Sequence, residues 1–137
     1  RGARTAVETV HPDIAFAIDT TLAGDTPANH NICSLGGGVV LSMIDSNSIA
    51  PRALVRYVES ICEKHDIPCQ YAVFNKGGTD SGNIHKAFDG VINMTLSIPI
   101  RYMHTHHSMI HADDVEACIR LICELVRDIK EEKLCME

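Results

Sequence analysis

The sequence predicts an α/β fold, in which helices cover a largely parallel sheet in layers. Two observations support this prediction. Short continuous apolar runs, typical of strands buried on both faces, recur along the chain. Between these runs lie segments in which apolar residues repeat with the spacing of a helix. Strands that alternate with helices are characteristic of a parallel sheet packed between helices.

The first elements of this pattern occupy the N-terminal third of the chain. Residues 1–7 are typical of a helix, although no capping residue precedes them, and we therefore expect the chain to be a fragment. The apolar runs at residues 14–18 and 39–44 predict two buried strands. A polar stretch rich in turn-forming residues connects them from Thr20 to Gly38.

A helix and a third strand follow in the middle of the chain. Pro51 suits the first position of a helix, and apolar residues then repeat with helical spacing as far as His65. Pro68 interrupts this pattern, because proline cannot continue a helix or a sheet ladder. Residues 70–74 predict the third strand.

The C-terminal part of the chain contains a glycine loop, a fourth strand and a last helix. The loop at residues 77–80 leads into a short helix, and the strand at residues 91–98 is expected to end at Pro99. The last helix is expected to begin at a capping aspartate, either Asp113 or Asp114. Its apolar stripe consists of Val115, Cys118, Ile119, Ile122, Leu125, Val126 and Ile129.

The composition of the chain limits which binding partners and which cellular compartment we expect. The chain has 137 residues, a net charge of −6 and a pI near 5.7, which argue against nucleic acid as a partner. No apolar run approaches the roughly 20 residues that span a bilayer, so no membrane partner is expected. The six cysteines form no C-x-x-C pair, and we interpret them as reduced core thiols of a cytosolic protein.

Three strand-end positions carry residues suited to chemistry, because functional groups in α/β sheets gather beyond the carboxyl ends of strands. They are Asp19, the Gly77-Gly78-Thr79-Asp80 loop and His104. A carboxylate and an imidazole from separate strands are suitable ligands for zinc or cobalt. An aspartate in this position also serves as a helix cap or turn former. The paired glycines indicate either a flexible turn or a close approach of the backbone to a ligand.

The histidines near the end of the fourth strand allow three interpretations. His104, His106, His107 and His111 lie within one short segment. They form a solvated loop, a mononuclear metal site of their own, or a loop from which one histidine joins ligands elsewhere in the fold. The sequence contains no H-E-x-x-H motif, which excludes a helix-borne zincin site. It also contains no G-x-S-x-G, P-loop or G-x-G-x-x-G motif.

Four ordered segments of the chain resemble the self-compartmentalising two-metal aminopeptidases, a family that includes the TET, glutamyl and FrvX-like enzymes. The resemblance extends to about Val126. The glycine loop and the Arg-Tyr-x-His block are its more specific parts. The matching segments are residues 1–6, residues 12–19 with 23–27, residues 77–80 with 84–85, and residues 97–99 with 101–104.

The resemblance implies a fold and an activity. It implies a three-layer αβα sandwich with a largely parallel sheet, in which residues 1–137 form the C-terminal portion of the catalytic domain. The upstream half and an inserted β-domain are then absent from the sequence. The implied activity is a metal-dependent removal of N-terminal residues from short peptides, by a cytoplasmic enzyme that forms a large oligomer. Two divalent ions, zinc or cobalt or else manganese, are the implied cofactors.

The resemblance also implies roles for individual residues. Asp19 corresponds to a carboxylate ligand of one metal, and His104 to a histidine ligand of the other. The loop formed by Gly77, Gly78, Thr79 and Asp80 corresponds to the substrate side of the pocket. The catalytic base is a glutamate expected upstream of Arg1. Because two ligands without the base and the bridging carboxylate should bind metal weakly, we expect the isolated chain to be inactive.

One departure from the family pattern leaves room for different functions. The family continues after the histidine with Ser-Pro, whereas Thr105 and His106 follow His104 here. This departure leaves His106 or His107 as a competing ligand, and the cluster as a metal storage or sensing site. The sequence is also compatible with a non-catalytic binding or assembly module, and with a related two-metal carboxypeptidase or deacylase.

Overall fold

A computed structural model of the chain describes residues 2–27, 32–74 and 77–129. Helices and strands alternate along most of these ranges, as the sequence predicts. The elements are α1 (Gly2–Val10), β1 (Ile14–Leu22), β2 (Val39–Ile44), α2 (Arg52–Lys64), β3 (Cys69–Val73), α3 (Ser81–Ile84), β4 (Ile92–Ile100) and α4 (Ala112–Asp128).

The four strands form one sheet in the order β1-β4-β2-β3. β1 runs parallel to β4, with a register from Ile14 opposite Ile92 to Leu22 opposite Ile100. β2 runs parallel to β3, and β2 and β4 pair in antiparallel orientation. The prediction of a largely parallel sheet is confirmed, with one antiparallel pair at its centre.

The two faces of the sheet differ in composition. The apolar face is covered by α2 and α4, whose buried side chains pack against those of β2 and β4. This packing forms the main core, because alternate residues of a strand point to the same face. The sheet residues at its centre are Val39, Leu41, Met94 and Leu96, and the helix residues are Leu54, Val55, Val58, Ile61, Cys62, Ala117, Cys118, Leu121 and Leu125.

The opposite face of the sheet is more polar, although Val40 and Ala72 form a small apolar cluster there with Cys33. It carries the buried side chains of Thr21, Ser42, Thr95 and Ser97. α1 and α3 cover this polar face near the start of β1, where Val7 and Ile84 form a second apolar cluster. The helices on both faces confirm the three-layer αβα arrangement. They also leave the polar face open toward the carboxyl ends of β1 and β4.

The predicted carboxyl ends of β1 and β4 are wrong. Asp19 lies within β1, which continues to Leu22, and β4 continues through Pro99 to Ile100. The proline is accommodated because β2 pairs with β4 only as far as Ser97, so within the described sheet no second neighbour needs an N–H group at that point.

The predicted cap of the last helix is also wrong. His111 occupies the N-cap position of α4, and its Nδ1 accepts a hydrogen bond of 3.3 Å from the N–H of Asp113. Asp114 is fully buried and accepts hydrogen bonds from the N–H groups of Gly36 at 2.9 Å and Gly38 at 2.8 Å. His111 therefore supplies the local cap, while Asp114 binds the backbone at Gly36 and Gly38 instead.

Most of the described cysteines are buried, as expected. Cys33, Cys62 and Cys118 are buried thiols, Cys69 is half-buried and Cys123 is exposed, so Cys123 departs from the prediction of core positions. Cys135 lies outside the described residues. None of the helices in the described ranges combines the length and apolar character required to cross a membrane.

Candidate active site

A cleft of about 390 Å³ opens on the polar face of the sheet, at the carboxyl ends of β1 and β4. Because β1 and β4 are parallel, residues beyond or near the ends of both strands meet here. The cleft is lined by Asp19, Thr20, Thr21, Leu22, Asp45, Phe74, Gly77, Gly78, Thr79, Ser97, Met103 and His104.

Asp19 contributes an exposed carboxylate to the wall of the cleft. It pairs in register with Ser97 of β4, which places the two side chains side by side on the polar face. One carboxylate oxygen of Asp19 accepts a hydrogen bond of 2.7 Å from the N–H of Thr20. Because Asp19 is exposed and lines the cleft, its carboxylate is accessible to a ligand there.

His104 reaches the cleft from a closed loop after β4. The backbone of Arg101 pairs with that of Met109 through hydrogen bonds of 2.9 and 3.2 Å, which join the two ends of the loop. The hydroxyl of Thr105 lies 2.7 Å from the carbonyl oxygen of Tyr102. Tyr102 and His104 have φ angles of 59° and 61°, a conformation that residues other than glycine adopt rarely and that the loop must hold in place.

The other histidines of this segment are placed differently. His106 and His107 are exposed on the same loop and are not among the residues that line the cleft. His111 caps α4. The structure therefore brings His104 together with Asp19 and leaves the remaining cluster outside the cleft.

An ion pair anchors the base of the His104 loop. Arg101 donates from Nε and Nη2 to the two carboxylate oxygens of Asp25, both at 2.8 Å. The N–H of Leu35 donates to the same carboxylate at 3.0 Å. These hydrogen bonds, chiefly those from Arg101, lower the pKa of Asp25 to about 2. The connection after β1 and the loop after β4 are thereby tied together beside the cleft.

The glycine loop contributes Gly77, Gly78 and Thr79 to the lining of the same cleft. Gly77 has a φ of +83°, a left-handed conformation that glycine adopts without strain. A Cβ atom on Gly78 would lie 2.2 Å from the side-chain nitrogen of Asn47. The second glycine therefore lets the side chain of Asn47 approach closely, and this side chain would have to move if a Cβ atom were present. The backbone contact with a ligand that the sequence suggests stays a prediction.

Thr79 and Asp80 complete the predicted substrate loop, with different placements. Thr79 lines the cleft together with both glycines. Asp80 is exposed at the N-cap position of α3, where its carbonyl oxygen accepts from the N–H groups of Asn83 and Ile84. Asp80 is not among the cleft residues, and its role in substrate binding stays a prediction.

Sequence reasoning misses Asp45, a buried residue of the cleft. Its carboxylate accepts four hydrogen bonds, from the N–H groups of Asn47, Ser48 and Thr79 and from the hydroxyl of Thr79. Burial alone would raise the pKa of Asp45, but these hydrogen bonds outweigh it and lower the pKa. The available signal is an aspartate at the end of an apolar run, followed by Ser-Asn-Ser.

The donor set of the cleft is compatible with part of a metal site. Asp19 supplies oxygen and His104 supplies nitrogen, and zinc and cobalt accept both. Among the described residues, no group of three or more His, Cys, Asp or Glu side chains is placed to hold one ion. Catalytic zinc normally has three protein ligands, so these ranges supply only part of such a set.

A family model and a curated relative match most of the chain. The model of the M42 glutamyl aminopeptidases matches residues 1–121. The lysyl aminopeptidase of Pyrococcus furiosus is 33% identical over 132 residues, which cover 95% of this chain and 37% of that protein. The chain spans 36% to 38% of the length of the curated relatives that it matches first.

Solved structures agree with this match. A TET aminopeptidase from a marine sediment archaeon of the Thaumarchaeota superposes with a TM-score of 0.93 and 33% identity, over 97% of this chain and 38% of the other. The TET1 peptidase of Pyrococcus horikoshii, described as able to assemble into a tetrahedron or a large octahedral shell, gives a TM-score of 0.79. It is 33% identical over 93% of this chain and 37% of its own.

Proposed function

The chain belongs to the M42 glutamyl aminopeptidase family, and we propose that the protein is a metal-dependent aminopeptidase that removes N-terminal residues from peptides. One observation carries this proposal beyond family membership. Asp19 and His104, which are distant in the sequence, line the same cleft as Gly77 and Gly78. Candidate metal ligands in the same cleft as an exposed backbone segment suit a peptide whose N-terminus enters the cleft.

Asp19 and His104 each hold one of two divalent ions in this proposal. Zinc and cobalt suit the oxygen and nitrogen donors, and manganese is the third candidate. When bound, the two ions supply Lewis acidity toward the scissile carbonyl group. Neither Asp19 nor His104 serves as the proton shuttle while it ligates metal, and we assign that role to the glutamate that the family resemblance implies upstream of Arg1.

The test uses the complete gene product that contains this sequence, assayed with aminoacyl chromogenic substrates. We expect activity that chelation abolishes and that zinc, cobalt or manganese restores. His104→Ala should lower kcat/KM by more than about 100-fold, because loss of a residue that merely supports a ligand already costs roughly 10- to 100-fold. His106→Ala and His107→Ala are matched controls on the same loop and should retain activity. Turnover that survives both chelation and His104→Ala would contradict the proposal.

The chain of 137 residues alone is proposed to be inactive. Its described residues bring two candidate ligands to the cleft, and two ligands hold zinc weakly. Isothermal titration of the isolated chain with zinc checks this directly. Tight binding, together with peptidase turnover by a contaminant-free sample, would refute it.

Substrate preference, assembly and compartment are further parts of the proposal. The family is named for glutamyl residues and the Pyrococcus furiosus relative for lysyl residues, so the preferred N-terminal residue does not follow from membership. Self-association into a large oligomer is proposed by analogy with the TET1 peptidase, and light scattering of the complete protein tests it. The free thiols among the described cysteines are compatible with a cytoplasmic enzyme.

A further inference from the structure

Asp45 is a buried charge at the cleft that the proposed chemistry does not use. Only 7% of its surface is exposed. One carboxylate oxygen accepts from the N–H groups of Asn47 and Ser48, both at 2.7 Å. The other accepts from the N–H of Thr79 at 3.1 Å and from its hydroxyl at 2.7 Å. The carboxylate therefore joins two segments that are distant in the sequence.

The hydrogen bonds of Asp45 assign it a different role from Asp19. Four donors within the protein surround its two oxygens, which leaves little lone-pair capacity for a metal or a substrate proton. Asp19, in contrast, accepts one local hydrogen bond in the described structure and is exposed. Of the two carboxylates that line the cleft, Asp45 is fully used in hydrogen bonds that join two segments of the protein.

The turn after β2 contacts each of the first three residues of the glycine loop, which are Gly77, Gly78 and Thr79. Asp45 binds Thr79, and Ser46 donates from both its N–H and its hydroxyl to the carbonyl oxygen of Gly77, at 3.1 and 2.7 Å. Asn47 packs so closely against Gly78 that a Cβ atom there would overlap it. The cleft-facing backbone of the glycine loop is thus positioned by this turn.

The hydrogen bonds that hold the glycine loop extend from Thr79 into the sheet. The hydroxyl of Thr79 lies 2.7 Å from that of Thr95 in β4, and the hydroxyl of Thr95 lies 2.7 Å from that of Ser81. Thr95 and Ser81 are both buried. Since Thr79 directs its hydroxyl toward Asp45 and Thr95, its side chain stabilises the loop from behind, and the backbone of the loop is what a ligand meets.

We propose that Asp45 is a positioning residue for substrate binding, which fixes the backbone of residues 77–79 against the cleft through Thr79. This inference rests on the proposed aminopeptidase function. It assigns Asp45 to the peptide side of the cleft, whereas the His104 loop is anchored separately by Asp25 and Arg101. Loss of the Asp45 contact should therefore weaken peptide binding and leave metal binding intact.

The experiment compares variants of the complete enzyme at saturating zinc or cobalt. Thr79→Val removes the hydroxyl and preserves the side-chain shape, and Thr79→Ser keeps the hydroxyl. Asp45→Asn removes the charge and turns one acceptor into a donor. Asp113→Asn, a change at an exposed carboxylate of α4, is the matched control. kcat, KM, bound metal per subunit and Tm are measured for each.

Thr79→Val and Asp45→Asn are expected to raise KM by about 10-fold or more, the range lost with a hydrogen bond to a charged group. kcat should change by less than about 3-fold, and metal content should equal that of the wild type. Thr79→Ser should recover most of the lost affinity, and Asp113→Asn should match the wild type. If Asp45→Asn does not fold, Thr79→Val decides the question, because it removes only one hydroxyl.

Two results would overturn the inference, and they differ from a failure of the proposed function. An active wild type whose Thr79→Val variant has unchanged KM and lowered Tm would make the contact purely structural. A loss of kcat and bound metal at constant KM would place Asp45 on the metal side. A wild type without metal-dependent aminopeptidase activity would refute the proposed function, and this inference with it.

Discussion

Neighbouring residues of the same strand have different environments on the two faces of the sheet. Leu96 of β4 is fully buried in the core beneath α2 and α4. The next residue, Ser97, is equally buried but faces the cleft, where its hydroxyl lies 3.1 Å from that of Ser42. The apolar face gains stability from area removed from water, whereas the polar face gives up part of that gain to carry hydroxyl groups beside the site. The comparison indicates that the main core and the candidate site lie on different faces.

The largest expected effect tests the apolar face. Leu96→Ala should lower the free energy of unfolding by about 2–5 kcal/mol, because it removes buried methyl groups and leaves a cavity. Val126→Ala, on the exposed side of α4, is the control and should change it by no more than about 0.5 kcal/mol. Denaturant unfolding followed by circular dichroism measures both. Equal, small losses would contradict a core concentrated on this face.

A smaller effect of opposite sign tests the polar face. Thr21 is 2% exposed, and its hydroxyl is the buried side-chain oxygen without a hydrogen-bond partner among the described residues. Thr21→Val should therefore leave the free energy of unfolding unchanged or raise it by up to about 1 kcal/mol, because it removes an unsatisfied group without changing the shape. Thr20→Val, at the exposed neighbour, is the control. A clear loss of stability in Thr21→Val would indicate a hidden partner.

The smallest effect concerns the ion pair at the end of the polar face. The pKa of Asp25 is about 2 in the folded protein and 3.8 without the fold. Its contribution to stability is therefore complete above about pH 4 and is lost as the pH falls toward about 2. Asp25→Asn should make Tm less dependent on pH in this window. The difference should shrink at high salt, because the pair is partly exposed.

That last measurement has a clear opposing outcome. A wild type and an Asp25→Asn variant with parallel Tm curves below about pH 4 would show that the ion pair adds nothing to acid stability. The His104 loop would then depend on its internal backbone contacts, such as the pairing of Arg101 with Met109.

The local sequence pattern predicts most helices and strands, but it does not predict several contacts between distant residues. The strands are predictable because apolar runs such as residues 39–44 reflect burial on one or both faces, which the chain carries in its own composition. The predicted cap of α4 and the predicted end of β4 are wrong, because Asp114 is drawn to Gly36 and Gly38, and Pro99 lies beyond the pairing with β2. Both depend on partners that are distant in the sequence.

The candidate site divides in the same way. Asp19 and His104 are predictable from strand ends and from a family resemblance in their flanking residues, and the fold places both in one cleft. Asp45 is not predictable, because its partner Thr79 is recognisable only once β2 and the glycine loop are adjacent. His106 and His107 closely follow His104 in the sequence, yet of the three only His104 lines the cleft, because of the shape of the loop.

The sequence by itself determined the alternation of strands and helices, the family and the residue types available for chemistry. These follow from local periodicity and from motifs, which are properties of adjacent residues. Only the tertiary structure decided which side chains share the cleft, which carboxylate is free to bind a ligand and which is committed to holding a loop. Hydrogen bonding and burial depend on neighbours in space, and for Asp45 those neighbours include Thr79, far along the chain.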